Sequence, residues 1–334
     1  MDSQFQVGRR RKARATVAVA VAAGGLAMAA PALASEYGLS PYALGSQTSM
    51  AGFTPPPGIF VTDTVISYQG DADDTLQLPL GARLAAGVDE EVLVNALTIA
   101  VFPDVRLGSG QIGFAATLPY GRVGVDAAAT FVGPLGLPGG AASDEETAIG
   151  DLQLAALIGW KDGVHNWNLS GALVLPTGEY DSARLANVGL NRTAFDAKGA
   201  YTYMNPGTGR EFSAGAGFTF NGENKDTDYQ SGTDFHLEGS FTQHLPSGWA
   251  LGVGGYFYQQ ITGDSGSGAR LGDFKGRVGA LGPMVSYTFM IGPAPVQLSG
   301  RWYREFGAEN RAEGDTVMFG VSMPIAAFGA PPAN

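Results

Sequence analysis

Hydrophobic and polar residues alternate strictly over the first half of residues 232–262, GTDFHLEGSFTQHLPSGWALGVGGYFYQQIT. Phenylalanine, leucine and glycine take one parity, and acidic, histidine, serine and threonine residues take the other. A Pro-Ser-Gly turn at residues 246–248 follows, and the alternation then resumes from Trp249. The stretch predicts an antiparallel β-hairpin with one apolar and one polar face. Periodicity alone leaves open which face meets water, because a soluble sandwich would bury the apolar one.

Similar segments recur from Gly58 onward and predict about twelve strands. Their lengths are close to the roughly 9–11 residues of a tilted transmembrane strand. We place them at residues 58–69, 91–103, 109–132, 147–161, 164–176, 193–205, 209–222, 232–245, 249–262, 276–290, 295–308 and 313–325. Pro119 interrupts the third segment, which predicts a bulge there or two shorter strands. An even strand number is typical of bacterial single-chain barrels.

The connections between these segments alternate in length. Short connections are predicted at residues 161–163, 205–209, 246–248 and 292–294, and long polar ones at 71–90, 133–146, 177–192, 222–231 and 263–275. Outer-membrane barrels have short periplasmic turns and long extracellular loops, whereas a soluble sandwich has no reason to separate them in this way. The loop pattern therefore favours a membrane barrel.

Aromatic residues concentrate near both ends of the predicted strands. Those beside the short turns are Trp160, Trp167, Tyr201, Tyr203, Phe212 and Trp249, and those towards the long loops are Phe218, Phe220, Phe235 and Phe257. Two such girdles are typical of the two interfaces of a membrane. A single aromatic residue could equally belong to an ordinary core, so the prediction depends on their regular placement.

The N-terminus has the three parts of a secretory signal peptide. A basic region over residues 9–14 precedes an apolar run at residues 15–30 and the small-residue site Pro31-Ala32-Leu33-Ala34. This predicts Sec export with cleavage after Ala34. The alternative, an uncleaved membrane anchor, is disfavoured because the apolar run is short and a cleavage site follows it.

Composition and charge narrow the class further. Removing residues 1–34 takes away five basic residues and one acidic residue, so the net charge changes from −11 to −15, which gives no electrostatic footprint for nucleic acid. No other stretch has the 18 or more apolar residues of a spanning helix. The chain has 50 glycines, 10% aromatic residues, 15% charged residues and no cysteine. Together these features predict an all-β fold, a transmembrane antiparallel β-barrel of about twelve strands in the cell outer membrane.

The predicted domain organisation has four parts. Residues 1–34 are the signal peptide, residues 35–57 a lead-in or lumen plug, residues 58–328 the barrel and residues 329–334 a tail. Residues 35–57 show no sustained alternation, and Pro55-Pro56-Pro57 lacks the N–H groups that a ladder needs. Barrel-assembly signals typically end on an aromatic residue of the last strand, and the tail at residues 329–334 follows that position. The barrel-assembly machinery would therefore have to recognise Phe319 or Phe328.

Polar side chains opposite the aromatic face are the candidates for lining the lumen. They are Asp151, Asp196, Lys198, Asp234, His236, Glu238, Tyr256, Tyr258, Arg301, Tyr303 and Glu305. A structural charge network is the simpler reading of this set, and a substrate path is the more specific one. Carboxylates outnumber cations, which disfavours phosphate-like cargo. The three tyrosines, together with Met318, suit apolar molecules that keep one polar end.

The sequence predicts neither a metal site nor a catalytic residue. In Asp234-x-His236-x-Glu238, neighbouring ligands would be about 6.6 Å apart along a strand, which is wide for one small ion. Ser240 is four positions from His236 and from His244, or about 13 Å along a strand, which is outside hydrogen-bond reach. We therefore expect no cofactor and no enzyme activity.

Several stretches resemble the meta-pathway phenol-degradation family of bacterial outer-membrane proteins, especially its sphingosine-induced transporter branch. They are Pro55-Pro56-Pro57-Gly58, Val94-Asn95-Ala96-Leu97, Gly150-Asp151, LPTGEY at 175–180, ENKDTDYQSG at 223–232, GGYFYQQIT at 254–262, Asp264-Ser265-Gly266, GDFKG at 272–276 and Glu309-Asn310-Arg311. The resemblance covers nearly the whole mature chain. It implies a barrel related to fatty-acid and aromatic-hydrocarbon channels, but no binding residues.

The predicted function is therefore passive uptake of hydrophobic small molecules, such as long-chain lipids or aromatic compounds, through a monomeric barrel surrounded by outer-membrane lipid. A general diffusion porin for small solutes is the alternative. A lipid-modifying enzyme ranks below both, because it would need a converging nucleophile or metal. An adhesin-like structural role ranks last.

Overall fold

The computed structural model describes residues 41–77, 83–132, 140–269 and 275–328. Within these ranges the secondary structure is β-strand with turns and loops, as the alternating sequence predicts. No helix in the described ranges is long and apolar enough to cross a membrane. The signal peptide, the predicted tail and part of the GDFKG stretch lie outside the described residues.

The described residues contain sixteen strands. They are β1 (Gly58–Gln77), β2 (Arg83–Phe102), β3 (Arg106–Leu107), β4 (Gly110–Val132), β5 (Gly140–Ile149), β6 (Leu152–Asp162), β7 (His165–Leu175), β8 (Ala194–Asn205), β9 (Arg210–Asn221), β10 (Glu223–Asn224), β11 (Tyr229–Gln230), β12 (Asp234–His244), β13 (Trp249–Gln260), β14 (Arg277–Ile291), β15 (Ala294–Glu309) and β16 (Glu313–Ala327).

Apart from the two-residue strands β3, β10 and β11, these strands close into a twelve-stranded antiparallel barrel in which β5 and β6 share one position, and this confirms the predicted fold class. Closure comes from β1, which pairs with β2 on one edge and with β16 on the other. Gly58 lies opposite both Phe102 and Ala327, so the barrel begins and ends on the side of the short turns. Such closure leaves no sheet edge facing lipid, and it pairs the backbone polar groups that a bilayer cannot satisfy.

One of the twelve positions in the barrel is shared by two strands. β4 pairs with β5 over Tyr120–Ala129 and with β6 over Gln111–Thr117, so the predicted single strand at 147–161 is interrupted. The interruption at Gly150-Asp151 lies beside Pro119, which has no N–H for the ladder. The prediction that Pro119 would bulge or split its own strand was wrong. β4 runs straight through it, with Ala96 opposite, and the neighbouring strand breaks instead.

The prediction of a long loop at residues 71–90 was also wrong. β1 and β2 stay paired from Gly58–Phe102 to Gln77–Arg83, and only residues 78–82 lie between them. The ladder is made by backbone groups, so it can continue beyond the lipid, where the side chains no longer need to alternate. Similarly, β5 begins at Gly140 inside the predicted loop 133–146. The other strands end within a few residues of their predicted ends.

The polar face of each strand turns inward and the apolar face outward. In β12, Asp234, His236 and Glu238 are buried, whereas Leu237 is 44% and Phe241 is 58% exposed. The same inversion recurs around the barrel, where the exposed apolar side chains include Leu93, Phe114, Phe212, Leu251, Val253, Leu281, Trp302, Phe306 and Phe319. In water such a surface would be costly, so this exterior is suited to lipid.

The long loops between β9 and β12 and between β13 and β14 fold into defined structure around two aspartates. Asp264 accepts hydrogen bonds from Tyr229 Oη (2.6 Å), Gln260 Nε2 (2.7 Å) and Gly232 N (3.1 Å). Asp228 accepts from the hydroxyl and backbone N–H of Ser267, and the hydroxyl hydrogen bond lowers the pKa of Asp228. These contacts join the ENKDTDYQSG stretch to Asp264-Ser265-Gly266, so two of the family-like stretches form one loop structure.

Candidate functional site

Residues 41–53, here called the lumen segment, lie inside the barrel and contact inward side chains of several strands. Tyr42, Gln47 and Met50 are each at most 3% exposed. Asn168 Nδ2 donates to Ala51 O (2.8 Å), and Gly52 N donates to Thr202 Oγ1 (2.9 Å). The segment leads into β1 at the short-turn side and packs against the inner wall.

A buried charge cluster receives the first part of the lumen segment. Tyr42 Oη donates to Glu238 Oε1, and Gln47 N donates to Glu238 Oε2 (3.2 Å). Lys198 Nζ lies 3.9 Å from Glu238 Oε1 and donates to Gln47 Oε1 and to Tyr42 Oη (3.3 Å). Because the buried cation and anion share partners from the segment, each helps to fix the position of the segment.

His236 makes an aromatic contact with Tyr42. The two rings stack at 3.8 Å with an interplanar angle of 17°. His236 Nε2 lies 2.7 Å from Asp196 Oδ2, which also accepts a hydrogen bond from Thr219 (2.8 Å). Asp196 therefore orients the imidazole for stacking, and the Asp-His arrangement has a structural explanation.

Glu211 anchors the second part of the lumen segment near the short-turn end. Its carboxylate accepts hydrogen bonds from Met50 N (2.6 Å), Ser49 Oγ (3.0 Å) and Ser213 Oγ (2.7 Å). His244 Nε2 lies 2.6 Å from the other carboxylate oxygen. With its side chain fully buried, Glu211 depends on these donors to compensate for its lost hydration.

Gly45 allows the segment to pass close to the barrel wall. Its φ is +80°, and a Cβ there would lie 2.7 Å from Tyr303 Cε2. Its carbonyl accepts a hydrogen bond from Tyr303 Oη (3.2 Å). Only glycine combines this left-handed backbone with so close an approach to a ring.

A second polar cluster lies nearer to the long-loop end of the barrel. Glu305 accepts hydrogen bonds from Tyr256 Oη (2.8 Å), Tyr68 Oη (3.1 Å) and Gly314 N (3.0 Å). Arg311 lies 3.6 Å from Glu305, and its guanidinium carbon lies 4.8 Å from the centre of the Tyr258 ring. The cluster is a charge-paired network with aromatic walls.

Asp151 lies at the interruption between β5 and β6. Its side chain binds the long loop that connects β7 to β8. Its two carboxylate oxygens accept hydrogen bonds from Gly178 N (2.8 Å) and Leu190 N (2.7 Å). Further out, Arg184 pairs with Asp144 and Glu146, both at 2.9 Å. The family-like stretches Gly150-Asp151 and LPTGEY therefore meet and cover this edge of the barrel.

The eleven predicted lining residues all lie on inward faces, but few of them face open space. Ten are buried, and Arg301 is partly exposed. Each of the five predicted carboxylates accepts at least one hydrogen bond, including those of Asp234 from Tyr258 (2.7 Å) and Asn221 (3.0 Å). Their charges therefore serve the internal network.

Two important residues were missing from the predicted set. Glu211 has the same strand parity as Ser213, so alternation could have identified it. Arg311 belongs to a loop, where alternation carries no information. Its partner Glu305 is on β15, and only the folded barrel brings the two together.

The described residues do not assemble a recognisable catalytic or metal centre. Ser240 Oγ donates to Thr48 O (2.8 Å), while His236 Nε2 is held by Asp196. No group of three histidine, cysteine, aspartate or glutamate side chains in the described ranges is placed to hold a metal ion. The arrangement of charges is suited to holding the segment.

A pocket that is open to solvent remains beside the lumen segment. Its walls carry many hydroxyl groups, of which Thr62 pairs with Ser322 (2.9 Å) and Thr98 with Thr117 (2.8 Å). Ile66, Met284 and Met318 add apolar surface. The pocket combines polar and apolar walls, as binding sites for small amphipathic molecules do.

The closed barrel, with its lipid-suited exterior and polar interior, defines the protein as an outer-membrane β-barrel. Among solved structures it is similar to the COG4313 outer membrane channel from Pseudomonas putida F1. The TM-score is 0.64 at 14% identity, with 81% of this chain and 96% of that chain covered. At this identity the likeness shows the shared fold.

Two further structures are less similar. A FadL homologue from Pseudomonas aeruginosa has TM-score 0.40 and 12% identity, covering 79% of this chain and 88% of that chain. The CymD monoaromatic hydrocarbon channel has TM-score 0.40 and 8% identity, covering 82% and 90%. A search of curated protein sequences gives no match.

The family assignment comes from the sequence itself. Residues 71–320 match the family model described as "Putative MetA-pathway of phenol degradation", and the chain belongs to this family. This confirms the resemblance drawn from the short stretches above.

Proposed function

We propose that the protein is a channel for passive uptake of hydrophobic small molecules, either aromatic compounds or long-chain lipids. The observation that carries this proposal is the open pocket, in which thioether and alkyl groups lie among paired hydroxyls. Membership of a family described by phenol degradation supports aromatic cargo. Similarity to a structure named as an outer membrane channel supports transport as the class of function.

The lumen segment acts as a plug in this proposal. It is tied to Glu238 and Lys198 at one end and to Glu211 at the other, and the side pocket stays open next to it. Such a lumen disfavours rapid diffusion of hydrophilic solutes, which need a wide aqueous path. A small diffusion pore remains the second candidate because hydroxyl groups line much of the pocket.

The remaining parts of the proposal concern export and assembly. Residues 1–34 direct Sec export, both ends of the mature chain are periplasmic, and the barrel-assembly machinery inserts a monomer. The enzyme alternative ranks lower because the candidate serine and histidine are each bound to another partner. Their contacts leave no nucleophile next to a general base.

Single cysteines can test this orientation, because the native chain has none. We expect Asp226→Cys to react with a membrane-impermeant maleimide on intact cells, because residue 226 lies in the long loop between β9 and β12. Ser247→Cys, in the turn between β12 and β13, should react only after the outer membrane is permeabilised. The reverse labelling pattern would contradict the proposed orientation.

Growth of a deletion strain tests the function. With toluene or oleate supplied at limiting concentration, we expect slower growth without the gene and recovery when it is restored. Growth on glucose and acetate should be unchanged, since their uptake does not need an apolar pocket. A defect confined to the hydrophilic compounds would reject hydrophobic uptake and favour the diffusion pore.

A further inference from the structure

The lumen segment divides the interior into two sides of different charge. Its N–H and hydroxyl groups at Tyr42, Gln47, Ser49 and Met50 donate to carboxylates of β9 and β12. On the opposite side, Gly45 O and Ser46 O face Arg301 of β15. The segment therefore fills the acidic side and leaves the open pocket on the side of the arginine.

Arg301 is the one charged side chain among the described residues that line this pocket. Its Nη1 donates to Ser46 O and lies 3.4 Å from Gly45 O, and these carbonyls carry no net charge. In the described ranges, no carboxylate lies within ion-pair distance of Arg301, whereas Arg184, Arg304 and Arg311 each have at least one. A guanidinium has five N–H donors in a planar fork that fits a carboxylate, and here it carries an uncompensated positive charge.

The residues directly opposite Arg301 on the two neighbouring strands are apolar. Met284 lies directly opposite Arg301 on β14, and Met318 lies opposite it on β16. Both methionines line the pocket, as does Ile66. Thioether side chains adapt to irregular apolar groups and make favourable contacts with aromatic rings. The site thus places one cation between two flexible apolar surfaces.

We propose that this pocket binds amphipathic organic acids, with Arg301 holding the carboxylate and Met284 and Met318 contacting the aromatic or alkyl body. The inference rests on the proposed uptake function and gives its cargo a chemical class, acids with one apolar end. It adds an anionic group to the expected cargo, although the sequence, with its excess of inward carboxylates, disfavours phosphate-like cargo. Those carboxylates are hydrogen-bonded elsewhere in the lumen, and the open space has a positive charge.

Benzoate and benzylamine test this assignment because they share a ring and have opposite charges at neutral pH. Equilibrium dialysis against the full mature chain in nanodiscs, corrected with empty nanodiscs, should show benzoate bound and benzylamine excluded. Arg301→Gln should weaken benzoate binding roughly ten- to a hundredfold, as expected for loss of hydrogen bonds to a charged group. Arg301→Lys keeps the charge but loses the planar fork of donors. Its benzoate affinity should therefore lie between that of the unmodified chain and that of Arg301→Gln.

Arg304→Gln is the matched control. It removes the same charge from the same strand, but Arg304 lies on the outward parity and pairs with Asp315 (2.9 Å). Benzoate binding should be unchanged in this variant. Circular dichroism and heat-modifiable gel mobility establish that each variant is a folded barrel. If Arg301→Gln fails to fold, Arg301→Lys and the benzoate-benzylamine comparison on the unmodified chain still decide the question.

Equal binding of benzoate and benzylamine, or full benzoate affinity in Arg301→Gln, would overturn the assignment. These outcomes are independent of the growth experiment. A growth defect on toluene with no effect of Arg301→Gln on benzoate would remove the acid site and leave hydrophobic uptake. Arginine-dependent benzoate binding without a growth defect on toluene or oleate would keep the acid site and remove hydrophobic uptake.

Discussion

Deleting residues 35–52 should raise single-channel conductance in planar bilayers several-fold. The deletion removes most of the lumen segment, whose contacts with Glu238, Lys198 and Glu211 fill the acidic side of the interior. The twelve-stranded ladder does not include these residues, so the barrel should still close. Folded barrels, identified by circular dichroism, are the ones to measure.

A single substitution gives an independent test of the same idea. Gly45→Ala should raise conductance or its fluctuations, because the new Cβ would lie 2.7 Å from the Tyr303 ring in a left-handed backbone conformation. Gly292→Ala is its matched control, since Gly292 has a similar φ of +58° and nothing within 4 Å of the added atom. Unchanged conductance after the deletion would show that the lumen segment does not limit flow.

Glu211→Ala should lower the free energy of unfolding by about 1–3 kcal/mol, the typical cost of leaving buried hydrogen-bond donors without their acceptor. The substitution leaves Met50 N, Ser213 Oγ and His244 without their shared acceptor. Urea unfolding in phospholipid vesicles, followed by tryptophan fluorescence, measures the change. Limited proteolysis should also cleave the lumen segment faster, because its second anchor is lost.

Ser213→Ala serves as a comparison for Glu211→Ala and should destabilise the barrel less. It removes one of the donors to the same carboxylate and should cost about 1 kcal/mol. Combining Glu211→Ala with deletion of residues 35–52 should give less than the sum of the two effects, because the deletion already removes two partners of Glu211. Strict additivity would mean that Glu211 stabilises the barrel without holding the segment.

The anchored segment suggests why so many charges are kept inside this barrel. Lys198, Glu238 and Glu211 would each be costly to bury alone, and each finds its partners partly on the segment. The cost of an unpaired charge favours one position of the segment over alternatives. The same hydrogen bonds hold the lumen segment against the acidic side of the interior, and they thereby leave the pocket beside Arg301 open.

The sequence by itself determined the fold class, the positions of most strands and the face that each strand turns inward. These are local properties, because side chains alternate with a period of two along every strand and the turn residues mark the reversals. The parity that contains Asp234, His236 and Glu238 could be followed from strand to strand. The predicted signal peptide and the predicted loop segregation then indicated which parity meets lipid.

The tertiary structure alone decided how the inward groups are paired. Tyr42 and Glu238 are 196 positions apart, and Thr48 and Tyr303 are 255 apart, so no local pattern relates them. It also decided where the barrel strand breaks, because the missing N–H of Pro119 affects a different segment of the chain. The expected acidic lumen came from counting charges, whereas the electrostatics of the open space depend on which charges find partners. Only the folded chain leaves Arg301 facing that space without a carboxylate among the described residues.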